Sequence, residues 1–387
     1  MQEFDFRLRP RIVFGAGSVQ RLGELARELG ARKILVVSDQ GVVNAGLFER
    51  GKRSLEQFQL IVEGFHEFAE NPNTNNVNLG LIAAQKFKPD LIVGLGGGSS
   101  MDCAKGINFL YSCGGRMQDY WGIGKATGPM LPMIAVPTTS GTGSETQSFA
   151  LISDADTHVK MACGDPGAAC MVAVLDPELT VTQPNRVTSL TGIDAITHAL
   201  ETYVCNKRTP MSECFSLEAW ERLIVGFPAV LQNPNDLQGR SEMQLGACFA
   251  GMAIEASMLG AAHALANPLT AYLGTPHGQA VGLMMPHVIR FNAQVVGDRY
   301  ARLVRSCSMA ANTHSDASTI LSELVTNWLT QAGLSTNLRT LNGWPPHQES
   351  ASFIEKLADM AAKQWTASFN PRSLSKTDFM ELYSAAI

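Results

Sequence analysis

Apolar positions in the first half of the chain come as short runs, separated by stretches with helical spacing. "RIVFGAGS" reads as a strand ending in a glycine turn, and "KILVVSD", "LIVEGF" and "MVAVLDPEL" read as further strands. Their length, and the turn residues that bound them, suit strands buried in a sheet. "VQRLGELARELG" has helical spacing and stops at Gly30, and "VNLGLIAAQKFKPD" is also helical. "LIVGLGGGSSMDCAKGI" runs strand, glycine loop, helix, and "MIAVPTTSGTGSE" is a strand leading into a loop of small residues. Such alternation predicts a parallel sheet covered by helices. The pattern changes after about Pro184. "TSLTGIDAITHALETYV", "SLEAWERLIVGFPAVL", "SEMQLGACFAGMAIEASMLGAAHAL", "ASTILSELVTNWLTQAGL" and "SASFIEKLADMAAKQW" repeat apolar residues at three and four, with no strand among them. The expected architecture is an α/β domain over 1–184 followed by an all-α domain over 185–387.

Composition narrows the class of protein. A chain of 387 residues is long for one core, so two domains are the default. Hydrophobic content of 45% and charged content of 17% describe an ordinary globular protein. A formal net charge of −5 argues against nucleic acid or an anionic membrane as the main partner. No run is long and apolar enough for a membrane span, and "MQEFDFRLRP" does not read as a leader. A cytoplasmic enzyme is the expectation. None of the eight cysteines has C-x-x-C spacing, so reduced and mostly buried thiols are expected.

Three loops compete for a nucleotide. "GAGSVQ" at Gly15, with Asp39 after the next strand, approaches the dinucleotide fingerprint but has Gln20 where a third glycine belongs. "GLGGGSSMD" (Gly94–Asp102) places adjacent glycines between a strand and a helix. There the backbone N–H groups of Gly97, Gly98 and Ser99 can approach a diphosphate, helped by the helix N-terminus. "PTTSGTGSE" (Pro137–Glu145) offers Thr138, Thr139 and Thr142 to phosphate, ribose or the nicotinamide amide. Asp39 either accepts from a ribose 2′-OH, which favours NAD over NADP, or is an ordinary strand-end carboxylate.

The second half suggests a metal. In "GIDAITHALE", Asp194 and His198 stand at i and i+4 on one helix face, amid apolar neighbours. A buried Asp or His needs a partner, and a core hydrogen bond between the two would suffice. His263 follows the small-residue helical run "GMAIEASMLGAAH", and His277 sits in the break "TPHG", where Pro276 and Gly278 shape the turn. Together the four residues make a three-nitrogen, one-oxygen set that suits Fe²⁺ or Zn²⁺, provided they converge.

"GGGSSMDCAK", "PTTSGTGSE", "TGIDAITHALE", "HALANPL" and "TPHGQAVGLMMPHVIRFN" closely resemble the iron-containing (group III) alcohol dehydrogenase family. "EGFHEFAENP" and "NPRSLSKTDFMELYSAAI" add to the likeness, which runs in order over essentially the whole chain. The resemblance implies an N-terminal dinucleotide-binding parallel-sheet domain followed by an all-helical metal-binding domain. It implies metal ligands Asp194, His198, His263 and His277, with iron first and zinc as the alternative. It implies NAD contacts at Asp39, Asn71, Gly97, Gly98, Ser99, Asp102, Thr138, Thr139, Thr142, Lys160 and Leu179. It also puts the pyrophosphate on the triple glycine rather than on "GAGSVQ".

The chain departs from the family at Asn267, where many members carry a second histidine in H-x3-H that is often assigned a proton-relay role. Asn267 hydrogen-bonds but does not titrate, so it either takes part at the catalytic site beside His277 or orders a turn at Pro268. Phe149 either narrows a substrate pocket or packs in a core. The function implied is reversible hydride transfer between a small primary alcohol or aldehyde and NAD, by a homo-oligomer that is often a dimer. The rivals are a polyol or hydroxy-acid dehydrogenase of the same fold, a dehydroquinate-synthase-like lyase and a non-catalytic nucleotide-binding module. The lyase would be expected to carry a denser Lys/Arg set for a phosphorylated substrate.

Overall fold

The structure is a computed structural model that describes residues 3–307 and 314–387. The chain divides into two compact units. One is Arg7–Gln183, and the other is Pro184–Ile387 with the N-terminal segment up to Phe6.

The first unit follows the order β1 (Arg11–Phe14), α1 (Leu22–Glu28), β2 (Lys33–Val37), α2 (Gln40–Asn44), α3 (Leu47–Glu56), β3 (Ile61–Phe65), α4 (Thr74–Phe87). It continues with β4 (Leu91–Gly96), α5 (Gly98–Cys113), β5 (Gly122–Ile123), β6 (Met133–Pro137), β7 (Phe149–Ser153), β8 (Lys160–Gly164) and β9 (Val172–Leu175). Six strands form a parallel sheet in the order β1-β9-β6-β4-β2-β3. Alternate residues serve its two faces. Ile34, Val36, Val93, Leu95, Ile134 and Val136 share one core with Leu22, Leu25, Phe48 and Leu55 of α1 and α3. On the other face α5 comes close at Gly94, where a Cβ would stand 3.0 Å from Met101 Sδ. Burial of each large apolar side chain here contributes about 1.5–3 kcal/mol. The chain leaves β2 for the edge strand β3, then returns to β4 on the other side of β2. Such a reversal opens a crevice beyond the carboxyl ends of β2 and β4.

The sequence pattern did not predict a second, three-stranded sheet, β5-β8-β7, in which β7 and β8 are antiparallel. The loop joining β7 and β8 lacks a glycine signal because an aspartate does the turning. Asp154 Oδ1 accepts from the N–H groups of Asp156 and Thr157 and from the Thr157 hydroxyl. Phe149 lays its ring over Gly164, where a Cβ would come within 2.3 Å of the ring, so it packs across this small sheet while staying partly exposed.

The second unit is helical: α6 (Asn185–Val204), α7 (Pro210–Gln232), α8 (Leu237–Glu255), α9 (Ala261–Leu273), α10 (His277–Ser306), α11 (His314–Gln331), α12 (His347–Ala361) and α13 (Lys376–Ala385). Among the described residues it holds no strand, and no helix is long and apolar enough to cross a membrane. Every residue of α6 from Gly192 to Val204 is buried, so the helix is enclosed all round rather than on one face. Trp220, Phe227, Tyr300, Phe379 and Tyr383 fill the core around it. Trp220 donates to Leu303 O at 3.1 Å and Tyr383 to Leu265 O at 2.6 Å, which satisfies their polar ends.

Two local expectations are corrected. The run leading to His263 is not one helix, since α8 ends at Glu255 and α9 starts at Ala261, after Gly260. No turn occurs at Pro268 either, because α9 continues through it to Leu273.

Candidate nucleotide loops and metal centre

In the sheet unit, the loops after β2, β4 and β6 meet at the crevice. Asp39 follows β2 and caps α2, its Oδ1 accepting from Gly41 N–H at 2.9 Å and Val42 N–H at 3.1 Å. Its Oδ2 accepts from the Ser100 hydroxyl at 3.0 Å, which ties the β2 loop to α5. Gly97 is the cap of α5 and Gly98 its first residue. A Cβ on Gly97 would lie 3.2 Å from the Thr139 side chain, and one on Gly98 would lie 2.8 Å from Thr142 Cγ2. The glycines therefore let the loop after β6 close onto the start of α5. The first N–H groups of α5 have no acceptor within the helix. Thr138 is buried, and its N–H donates to Gly96 O at 3.0 Å. Asn71, at φ 56°, donates its N–H to Ser99 Oγ at 3.1 Å and accepts from Lys160 Nζ at 3.3 Å. Asp102 accepts from the Ser144 hydroxyl at 3.0 Å; burial raises its pKa, while Lys105 and Lys160 pull the other way. Leu179 is 1% exposed, within the apolar core of the unit.

Sequence reasoning overlooked Lys105. It is fully buried and donates to Ser144 O (2.7 Å), Gln147 O (2.7 Å) and Phe149 O (2.9 Å), so it pins the loop after β6 to α5. It was missed because a lysine in a helix usually faces solvent.

The fingerprint-like turn is occupied from within. Gly17 N–H donates to Asp176 Oδ1 at 3.0 Å and Val19 N–H to Asp176 Oδ2 at 3.1 Å. Asp176 is fully buried after β9, with Arg50 beside it at 3.6 Å. These amides serve an internal carboxylate rather than a phosphate.

In the helical unit, four sequence candidates gather around one oxygen. Asp194 Oδ1 lies 3.3 Å from His198 Nε2, 3.6 Å from His263 Nε2 and 3.8 Å from His277 Nε2. The ligand atoms of Asp194, His263 and His277 all fall within 4.8 Å of one another. That mutually close set does not include His198, which joins through Asp194 and stacks on the His263 ring at a centroid distance of 4.9 Å. Asp194, His198 and His263 are buried, and the His277 side chain is 36% exposed.

The positions follow from the helices. Asp194 and His198 are one turn apart on α6, His263 is the third residue of α9, and His277 is the first of α10, after the cap Pro276. Gly278 is not a turn residue. It lies within α10 against α6, where a Cβ would stand 2.0 Å from Leu190 O.

A divalent cation fits this donor set. Asp194 Oδ1 and His263 Nε2 are buried with no hydrogen-bond partner among the described residues. Tetrahedral ligands at usual metal distances sit about 3.4 Å apart, close to the spacings found here. A core hydrogen-bond pair alone would leave those atoms unsatisfied at a cost of about 1–3 kcal/mol each. Burial opposes the charge on Asp194, but His198, His263 and His277 outweigh it and hold the carboxyl well below the usual range. For His263 burial opposes protonation, yet the Glu201 and Asp194 carboxylates push its pKa up to about 9.

Glu201, also on α6, accepts from His263 Nδ1 at 2.6 Å and was not singled out in the sequence. Its position, seven residues after Asp194 and three after His198, would have placed it on the same helix face. Asn267 donates from Nδ2 to Gln364 Oε1 at 2.9 Å.

Both halves of the chain match known families. Residues 9–177 match the family described as "Iron-containing alcohol dehydrogenase", and residues 188–387 match "Fe-containing alcohol dehydrogenase family, C-terminal". The NAD-dependent methanol dehydrogenase of Bacillus methanolicus is 30% identical over 383 residues, covering 99% of this chain and 100% of that protein. Alcohol dehydrogenase 4 of Schizosaccharomyces pombe is 35% identical over 282 residues, 73% of this chain and 67% of that one. The crystal structure of a 1,3-propanediol oxidoreductase superposes with a TM-score of 0.94 at 28% identity, covering both chains completely.

The features define an oxidoreductase acting on CH–OH groups. The chain belongs to the iron-containing alcohol dehydrogenase family, which uses a nicotinamide dinucleotide and a divalent metal, usually iron. These matches do not favour the lyase reading.

Proposed function

We propose that the chain interconverts small primary alcohols and their aldehydes, with NAD preferred over NADP. The observation that carries this reading is the approach of three imidazole Nε2 atoms to the single buried oxygen Asp194 Oδ1. Asp194, His198, His263 and His277 would hold the metal, iron first and zinc second. A bound divalent cation would supply a Lewis acid for the substrate oxygen, and the dinucleotide a hydride acceptor.

The chain's own residues do the rest. The N–H groups of Gly97, Gly98 and Ser99 bind the diphosphate, with Thr138, Thr139 and Thr142 from the facing loop. Asn71, Asp102 and Lys160 complete the dinucleotide contacts, whereas Leu179, expected among them, is buried in the apolar core and backs the site from behind. Asp39 keeps a carboxylate at the switch point, where it repels a 2′-phosphate. His277 is the most solvent-accessible of the four ligand residues, so substrate approaches from its side. Asn267 hydrogen-bonds Gln364 and does not accept the alcohol proton, which leaves through water, the cofactor ribose or another group.

Metal-free protein reloaded separately with Fe²⁺ and Zn²⁺, and assayed with short alcohols and diols, tests this. NADH should form, with kcat/KM for NAD at least about tenfold that for NADP. Absence of turnover with either metal and either dinucleotide would refute the reading. We further assign the enzyme to the cytoplasm as a homodimer. Among the described residues the edge strand β1 pairs only with β9, and it leaves Phe14 42% exposed, which supports association there. Light scattering on the purified protein tests the dimer.

A further inference from the structure

We propose that Glu201 is a positioning residue of the metal centre. It holds His263 as the Nδ1–H tautomer with Nε2 turned toward Asp194, and thereby sets the affinity for a divalent cation. This rests on the metal-centre reading above.

The carboxylate is held rigidly. Oε2 accepts from His263 Nδ1 at 2.6 Å and from Gly260 N–H at 3.0 Å, and Oε1 accepts from Ala262 N–H at 2.6 Å. Glu201 is 2% exposed and His263 4% exposed, so neither bond competes with bulk water. An ionised carboxylate only accepts, so Nδ1 must donate to it. With Nδ1–H directed at Glu201, Nε2 is the ring atom left to offer a lone pair to a cation, and it lies 3.6 Å from Asp194 Oδ1. A carboxylate behind a metal-bound imidazole fixes the ring and raises its basicity. Because Glu201 and Asp194 share α6, one helix addresses both nitrogens of His263.

The N-terminus of α9 completes the device. Ala261 N–H donates to Asn370 Oδ1 at 3.4 Å, and Asn370 is doubly hydrogen-bonded to Asn292. Glu201 and Asn370 thus clamp three successive N–H groups just before His263. Gly260 leaves room for both, since a Cβ there would stand 3.1 Å from Glu201 Oε1 and from Asn370 Oδ1. The break between α8 and α9 is what exposes these N–H groups to Glu201.

Glu201 could matter only as a cap for α9, so the test separates the two roles. Full-length wild type, Glu201→Gln and Asn370→Ala are stripped of metal and titrated with Co²⁺, read by visible absorption and chelator competition. Their metal-free melting is measured in parallel. In Glu201→Gln the side-chain NH2 must face either Ala262 N–H or His263 Nδ1, so the carboxylate's complete set of accepted bonds cannot be kept while the side-chain volume stays. Co²⁺ affinity should fall by about 10–100-fold, with an altered spectrum. Asn370→Ala, which loosens the clamp without touching His263, should lower melting at least as much and affinity far less. Affinity of Glu201→Gln within about threefold of wild type would overturn the proposal. So would losses of affinity in the two variants that simply follow their losses of stability.

A second measurement does not depend on a variant that folds: nitrogen NMR of the His263 ring in zinc-loaded wild type. Zinc on Nε2 with a proton on Nδ1 is expected, and zinc on Nδ1 overturns the proposal. A wild type that binds neither metal would sink the metal centre as well, which distinguishes that failure from one confined to Glu201.

Discussion

Glu145 shows how one buried side chain shapes the response to pH. Burial pushes its carboxyl up to about 7, against the pull of its own N–H and of Lys105. Unfolded, the group titrates near the ordinary value of about 4.3. Between those values the folded chain keeps a proton that the unfolded chain has released, so stability falls as pH rises through this window, by up to about 4 kcal/mol. Glu145→Gln should therefore gain stability relative to wild type between about pH 5 and about pH 8 in urea unfolding, and parallel curves would contradict the assignment. Asn267 offers a second residue-level test. Asn267→His introduces a titrating ring, which should reshape the pH profile of turnover and leave metal content unchanged; an unchanged profile would confine Asn267 to its bond with Gln364. The pair Asp194 and His198 was legible in the sequence because i,i+4 spacing is a local property of a helix. Glu201 was not, because Thr197 and Thr202 dilute the apolar pattern of α6 and hide its burial from Gly192 onward.

The elements that the sequence announced are those with long or unbroken patterns. β2, β4, β6 and the helices α4, α6 and α12 fall where the pattern put them. The β7–β8 hairpin escaped because its turn is made by the Asp154 side chain, and the α8–α9 break escaped because "ASMLG" keeps helical composition while losing helical geometry. The convergence of His263 and His277 was beyond any local spacing, since it depends on how α9 and α10 pack on α6. Gly278 makes that dependence testable. A methyl group there meets backbone, so Gly278→Ala should force the first turn of α10 away from Leu190 and displace His277. A loss of about 2–3 kcal/mol and weaker metal binding are expected, by melting with and without Zn²⁺. Gly274→Ala, at φ 62° with open space around it, should cost only about 1 kcal/mol and leave metal binding intact. Equal effects in the two variants would refute the close-contact role of Gly278.

Across the whole molecule, each candidate site lies within one compact unit and draws on that unit's own core. Hydrogen exchange should reflect this division. Dinucleotide without metal should slow exchange at 96–102 and 138–144, and Zn²⁺ alone should slow it at 192–201 and 260–278. Dinucleotide protection appearing instead at 15–19 would overturn the assignment of the triple-glycine loop. The carboxylate of Asp176 makes that outcome physically costly. A side chain anchored by the fold meets its turn at an effective concentration of about a millimolar or more. It acts there as a permanent competitive antagonist, one that no dilution or dialysis removes. The chain thus answers its own fingerprint internally, which is consistent with the proposal that a diphosphate goes to the triple-glycine loop. Moving the cofactor to the first turn by design would have to begin by deleting Asp176, not by supplying the missing glycine.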